Sequence, residues 1–273
     1  MSESLQEAVL QRYREAVPGL GAATTESLAI MLAHRSVRSF SKRPLPAGTL
    51  ELLVAAAQSA STSSNKQLWS VVAVEDVARK ERLAALCDGQ AMIAATPLFL
   101  VFLADHSRIR SVAAARGRPV EGLDYVESFL AAVLDASLAA QNAAVAAESL
   151  GLGMVYVGAA RSRPEAMATE LGLPPACFAV VGMCVGYAHE QRVTAVKPRL
   201  PQTAVLHREQ YSAAAAGPAI ERHDGYSLAF RQEQNQEPMT WTEHVLQRLR
   251  DAQSLKGRSR LLESLRRLGF PMK

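Results

Sequence analysis

Aromatic side chains are scarce in this chain of 273 residues: Phe, Trp and Tyr together make up 5%. Alanine is abundant instead, so tightly packed helices are expected, because small side chains let backbones approach closely. Cysteine is rare as well. Cys87, Cys177 and Cys184 are odd in number, and none stands in a CxxC or CxxH spacing. Neither a disulfide framework nor a zinc site is implied, and no metal site is expected. Unpaired cysteines fit a reducing compartment. The opening stretch, MSESLQEAVLQRYREAV, carries charges throughout and lacks the apolar core of a signal peptide. No run is expected to reach the ~18 apolar residues of a membrane span. The expected location is therefore cytoplasmic, with no membrane partner. GxGxxG after a strand, GxxxxGKS/T, GxSxG and HExxH are all missing. Their absence argues against a separate dinucleotide-binding domain, a P-loop, a nucleophile-elbow hydrolase and a zinc protease.

Hydrophobic residues make up 49% and charged residues 21%. That is enough for one large core or two small ones. Net charge is only +4. Arginines cluster at 248–250, 258–260 and 266–267, and they read first as solvated helix faces. A basic nucleic-acid-binding protein is the competing class, but aromatic interleaving and any recognisable motif are lacking, so no nucleic-acid partner is expected.

Residues 3–16 read as an amphipathic helix closed by Pro18 and Gly19, and an apolar stretch, SLAIML, runs on to His34. Pro46 opens a helix through Ala60, with Leu50, Leu53, Val54 and Ala57 on one face. WSVVAVE (69–75) reads as a strand, and Asp76 caps a helix to about Cys87. PLFLVFLAD (97–105) is the continuous apolar run of a strand buried on both faces. The polar, basic segment 107–122, with Gly117, Pro119 and Gly122, reads as an exposed loop or lid. A long helix is expected from Asp124 to about Leu150, with Glu127 closing a capping box. Being apolar nearly all round, it suggests a core helix that also meets a partner subunit. GMVYVG (153–158), a helix 162–171 with a Ser162–Glu165 capping box, and a buried strand in CFAVVGMCVGYA (177–188) follow. Alternating helices and strands argue for a layered domain. Polar helices at about 217–233, 241–254 and 258–268 end the chain. No internal repeat or linker separates independent domains.

Four segments can carry chemistry. HRSVR (34–38) puts His34, Arg35, Ser36 and Arg38 within five residues, and guanidinium groups grip phosphate with paired hydrogen bonds. Ser61-Thr62-Ser63-Ser64-Asn65 is hydroxyl-rich. In VKPRLP (196–201), Pro198 holds Lys197 and Arg199 near one another. In VYVG (155–158), Gly158 at a strand end lets a flat ligand approach the backbone. Alone, HRSVR reads better as a basic surface turn and the hydroxyl stretch as a self-satisfied turn, and VKPRLP can be a solvated loop. Together they describe a site for a molecule with a phosphate, a hydroxylated chain and a planar ring, as FMN has. No side chain is expected to act as nucleophile or general base, because the cofactor carries the chemistry.

HRSVR followed by Phe40, the hydroxyl stretch with Gln67, DGQ (88–90), AAQNAAVAAESLGLGMVYVGAAR (139–161) and KPRLP (197–201) resemble the oxygen-insensitive nitroreductase and NADPH–flavin oxidoreductase family, over about residues 25–270. The resemblance implies an α+β fold with a central mixed or antiparallel sheet flanked by helices, and an intertwined homodimer with an extended C-terminal segment. It implies an N-terminal extension (1–24) outside the family pattern, then one FMN-dependent domain (25–273) with a helical excursion from about 205. It implies bound FMN, with NADPH or NADH as donor and a small-molecule acceptor: nitroaromatics, quinones or flavins. A flavin reductase or other flavin enzyme on the same fold remains the alternative. The FMN residues it implies are His34, Arg35, Ser36, Arg38, Thr62, Ser63, Gln90, Tyr156, Val157, Gly158, Ala159, Lys197 and Arg199. Arg231 and Arg258 are the implied nucleotide contacts. The chain departs from the pattern with Ala159, Thr62 and, before Trp241, Gln236-Glu237-Pro238. Glu237 is unfavourable beside a 2′-phosphate.

Overall fold

The computed structural model of the chain describes residues 5–21, 23–192, 194–214 and 216–273. In chain order its elements are α1 (Leu5–Tyr13), α2 (Glu26–Ala33), α3 (Thr49–Gln58), β1 (Trp69–Val74), α4 (Val77–Leu86), α5 (Ala91–Ala95), β2 (Leu98–Asp105), α6 (Ser107–Ala115) and α7 (Val126–Ser149). There follow β3 (Gly153–Val157), α8 (Pro164–Leu171), β4 (Cys177–Gly186), α9 (Ala216–Glu233), α10 (Trp241–Leu249) and α11 (Leu261–Arg267), with short 3-10 turns between them. They fall into two compact units: 1–35 with 194–255, and 36–193 with 256–273.

The larger unit is built on a four-stranded sheet, order β1-β2-β4-β3, whose strand pairs are all antiparallel. Every residue of β2 is buried, as the unbroken apolar run requires. Its side chains alternate between two cores. Leu98, Leu100, Phe102 and Ala104 join the core containing the alanine face of α7, while Phe99, Val101 and Leu103 join the core containing Leu83, Ile93 and Met167. The only parallel pairing described is an isolated bridge from Ser36 to Met154.

Four sequence expectations change. The segment expected to be a loop at 107–122 begins as helix α6, because the Asp105 carboxylate at the end of β2 accepts the Ser107 and Arg108 N–H groups at 2.9 and 3.3 Å. Helix α7 starts at Val126 without a side-chain cap; Asp124 lies in the preceding turn and instead receives Lys273 and Arg110 at 2.8 and 2.9 Å. The Ser162 capping box does not form, because its hydroxyl donates to Asp88 at 3.1 Å and α8 opens at Pro164. Finally, α7 is long and apolar enough, by length and composition, to cross a membrane, against the expectation of no such run. Half of that apolar window is buried within the protein, chiefly through the alanine face that packs in the core.

The smaller unit holds α1, α2, α9 and α10. Thr25 caps α2, and a full capping box of Thr240 and Glu243 starts α10. Residues 12–15, just past the middle of the N-terminal segment, are bonded into this unit. Arg14 pairs with Glu233 at 2.6 Å, and Glu15 accepts Arg222 and Tyr226, each at 3.1 Å.

Candidate functional site

In the smaller unit, residues 197–199 form one wall of a cavity of about 550 Å³ lined by Lys197, Arg199, His223, Arg231, Trp241 and His244, among others. Pro198 is buried while Lys197 and Arg199 on either side are exposed, so the proline anchors the segment between two cations. His223, 3% exposed, stands edge-on to Trp241 with centroids 5.8 Å apart. Burial pushes its pKa below the ordinary value, and Lys197 and Arg199 add to the shift while Asp224 opposes it. His244 is lowered too, by burial and then by Lys197, Arg248 and Arg231. Burial is the first cause for both rings, and the cations near the cavity add to it. Arg231 donates through Nε to the Glu237 carbonyl at 2.6 Å. His34 ends α2 as its C-cap, and Arg35 beside it is exposed.

The larger unit begins at Ser36. Val37 N–H donates to Met154 O at 2.9 Å, and Phe40 bridges Ala188, which lays residues 36–41 beside the sheet. This approach requires Gly153, because a Cβ there would lie 2.6 Å from a Val37 methyl. Arg38 is exposed. Tyr156 and Val157 end β3, and Gly158 and Ala159 open the 3-10 turn that follows. A Cβ on Gly158 would meet only the end of the Arg161 side chain, at 3.5 Å, so its backbone is open to a close neighbour. Tyr156 donates to Gln141 at 3.2 Å, and burial raises its pKa. Gln90 is the N-cap of α5, in a turn that carries Asp88 and Gly89 at positive φ. The Ser162–Asp88 bond ties that turn to the 158–161 turn, and Arg258 donates to Ser162 at 3.5 Å. Ser162 thus links Arg258 to the Asp88 turn that precedes Gln90. Arg231 lies in the smaller unit.

Thr62 and Ser63 sit in a loop with Ser64, Asn65 and Gln67 at positive φ, which is uncommon for side chains with a Cβ. Asp135 organises that loop from the middle of α7. Its carboxylate, 1% exposed, accepts Ser63 N–H at 2.8 Å and Leu68 N–H at 2.9 Å.

Sequence reasoning missed three of these residues. Asp135 was visible as a lone charge inside an otherwise apolar helix stretch, the pattern of a buried group with a partner. His223 and Arg12 gave no local signal. Arg12 donates to the carbonyls of Leu32, His34 and Lys197.

The three cysteines are free and buried, and burial pushes Cys87 and Cys177 up to about 12. Among the described residues, no group of three or more His, Cys, Asp or Glu could hold a metal.

Comparison with known proteins matches residues 31–187 to the Nitroreductase family and residues 197–273 to the Nitroreductase family, C-terminal domain. An NADPH-dependent oxidoreductase of Staphylococcus epidermidis is 35% identical over 88% of this chain and 96% of its own length. An FMN reductase (NADPH) of Bacillus subtilis is 37% identical over 68% of this chain and 74% of its own. Among solved structures, the NADPH:FMN oxidoreductase from Vibrio harveyi complexed with NAD+ superposes with a TM-score of 0.81, at 30% identity, over 91% of this chain and 100% of its own. With the antiparallel sheet, the 31–187 match and these relatives in agreement, the chain belongs to the nitroreductase family.

Proposed function

We propose that this chain is an FMN-dependent NAD(P)H oxidoreductase that delivers electrons in pairs to small organic acceptors such as nitroaromatics, quinones or flavins. The observation that carries the reading is the cationic wall at 197–199: two exposed cations on either side of a buried proline, lining a cavity of about 550 Å³. The relatives named FMN reductase and NADPH-dependent oxidoreductase supply the cofactor class.

The residues present suit FMN by the chemistry of their donors. In the smaller unit, His34, Arg35, Lys197 and Arg199 supply cations and ring N–H groups for a phosphate and for a ring edge that becomes negative on reduction. In the larger unit, Ser36, Arg38, Thr62 and Ser63 supply hydroxyls and a further cation. Gln90 and the backbone of Tyr156, Val157, Gly158 and Ala159 offer a flat approach to a planar ring. When bound, FMN supplies the two-electron redox chemistry itself. The protein's share is position, exclusion of water and a cationic edge. Arg231 serves the nucleotide donor from the smaller unit and Arg258 from the larger. The pyridine nucleotide is NADPH or NADH.

The active species is a homodimer. Leu130, Leu134 and Leu138 on α7 are 49%, 60% and 46% exposed at spacings of four, with Val126 in line and Leu52 on α3 also bare. Such a stripe is costly to leave in water and suits a self-complementary interface. Free, buried cysteines fit a reducing, cytoplasmic setting.

The test is a titration of purified, FMN-loaded protein with NADPH and with NADH, followed by an acceptor panel. Loss of flavin colour on adding donor, and its return with nitroaromatic or quinone, is expected. Protein that neither binds FMN nor bleaches overturns the proposal. Turnover of free flavin alone would favour a flavin reductase.

A further inference from the structure

Arg12 stands in α1, outside the residues that match the family, and is 5% exposed. All three nitrogens of its guanidinium donate. Its Nε and Nη2 donate to Leu32 O at 3.2 and 2.6 Å, Nη2 also reaches His34 O at 2.6 Å, and Nη1 donates to Lys197 O at 3.0 Å. Its own carbonyl accepts Arg199 N–H at 2.9 Å. One side chain and one peptide unit thus join two segments far apart in sequence, 32–34 and 197–199, which carry the cations assigned above to the phosphate.

We infer that Arg12 is a positioning residue that presets the His34–Arg35 and Lys197–Arg199 segments for the phosphate of FMN, an inference that rests on the FMN reading above.

Three arguments support it. A carbonyl oxygen is repulsive to phosphate, and a carbonyl engaged by Arg12 is held away from an incoming anion. A planar guanidinium has five N–H donors in a fixed fork, so one residue can hold carbonyls from separate segments in a defined relation; a lysine has one freely turning ammonium and cannot. Ordering these segments before binding lowers the entropy cost of binding itself. The segment around Arg12 is itself fastened, by Arg14 to Glu233 and by Glu15 to Arg222 and Tyr226. The N-terminal segment, for which the sequence suggested no role, is in this reading part of the phosphate site.

A merely structural role for Arg12 predicts lower stability. A positioning role predicts something narrower, a loss specific to the phosphate. The experiment measures FMN and riboflavin affinity of full-length apoprotein by flavin fluorescence quenching, for wild type, Arg12→Ala, Arg12→Lys and Leu83→Ala. Leu83 lies in the larger unit's core, in a cluster that also holds Val157 and Ala159, which the reading assigns to the ring and not to the phosphate, so its truncation serves as a stability control for the FMN-to-riboflavin ratio. Arg12→Ala should weaken FMN binding roughly 10- to 100-fold, as loss of outer partners of binding groups does. Riboflavin, which lacks the phosphate, should bind Arg12→Ala as it binds wild type. Leu83→Ala should melt lower yet keep the wild-type ratio of FMN to riboflavin affinity. Arg12→Lys keeps the charge and loses the fork, so it should show an intermediate loss, and it carries the test if Arg12→Ala does not fold. Equal weakening of FMN and riboflavin, or unchanged FMN affinity in both Arg12 variants, overturns the inference. Failure of wild-type protein to bind FMN would instead overturn the reading beneath it.

Discussion

Asp135→Ala removes the one acceptor that fixes the hydroxyl loop to α7. In the native protein its carboxylate takes Ser63 N–H at 2.8 Å and Leu68 N–H at 2.9 Å, and it is 1% exposed. Hydrogen bonds to a charged group contribute about 1.5–3 kcal/mol each. Some of that is recovered if the loop turns toward water, since Ser63 is only half-buried. Leu68 is buried, so its N–H is left without a partner. A net loss of about 3 kcal/mol is expected, a large share of the ~5–15 kcal/mol that holds a domain folded. For a domain of 150–250 residues this corresponds to roughly 6–12 °C in melting temperature. The loop holds Ser64, Asn65 and Gln67 at positive φ, and without the carboxylate two of the bonds that offset that strain are lost. FMN affinity should therefore drop along with stability. Thermal melts of apoprotein and flavin fluorescence titrations measure the two effects. Asp135→Asn gives a finer check. Its amide retains one acceptor oxygen but presents an NH₂ to the second N–H, so it should lose nearly as much as alanine. A melting temperature within 2 °C of wild type for Asp135→Ala would refute the reasoning.

The remaining predictions follow the two units. Arg231→Ala should raise KM for the pyridine nucleotide while leaving FMN bound, because its Nε contact is to the Glu237 carbonyl, within the nucleotide segment; unchanged steady-state kinetics would remove it from the donor site. Leu134→Arg places a charge on the bare stripe of α7 and should convert dimer to monomer in sedimentation velocity, whereas an unchanged sedimentation coefficient would move the interface elsewhere. The pKa of His223 is lowered from 6.5, chiefly by burial, with Lys197 and Arg199 adding to it. The unfolded chain therefore binds the proton more readily than the folded one, and stability falls as pH drops below about 6.5 and levels off beneath the depressed value. His223→Gln should flatten that fall in melts between pH 7.5 and pH 5.5; an identical slope would remove His223 as its source.

The sheet was legible in the sequence because its strands are continuous apolar runs with β-branched residues, and Asp76, Gly172 and the alanine face of α7 announced their roles through local pattern. What the sequence misplaced were starts of helices. Ser162 looked like a cap, but its hydroxyl finds Asp88, a residue of another turn. Asp124 looked like a cap as well, but two cations from other elements, Lys273 and Arg110, claim its carboxylate. A local signal loses when a distant partner binds the same atoms more strongly. Candidate site residues could be picked out of the sequence where chemistry is clustered, at 34–38 and 197–199. It was hidden where one residue serves segments remote in sequence, as Arg12 and Asp135 do. Their roles follow only from which carbonyls and N–H groups they meet.

The most direct test of the central claim is rapid mixing of FMN-loaded protein with NADPH or NADH without oxygen, followed in the blue absorption band. The account predicts prompt bleaching by at least one of the two donors, and recovery of the band when a nitroaromatic or quinone is added afterwards. A band that persists through excess of both nucleotides would contradict it.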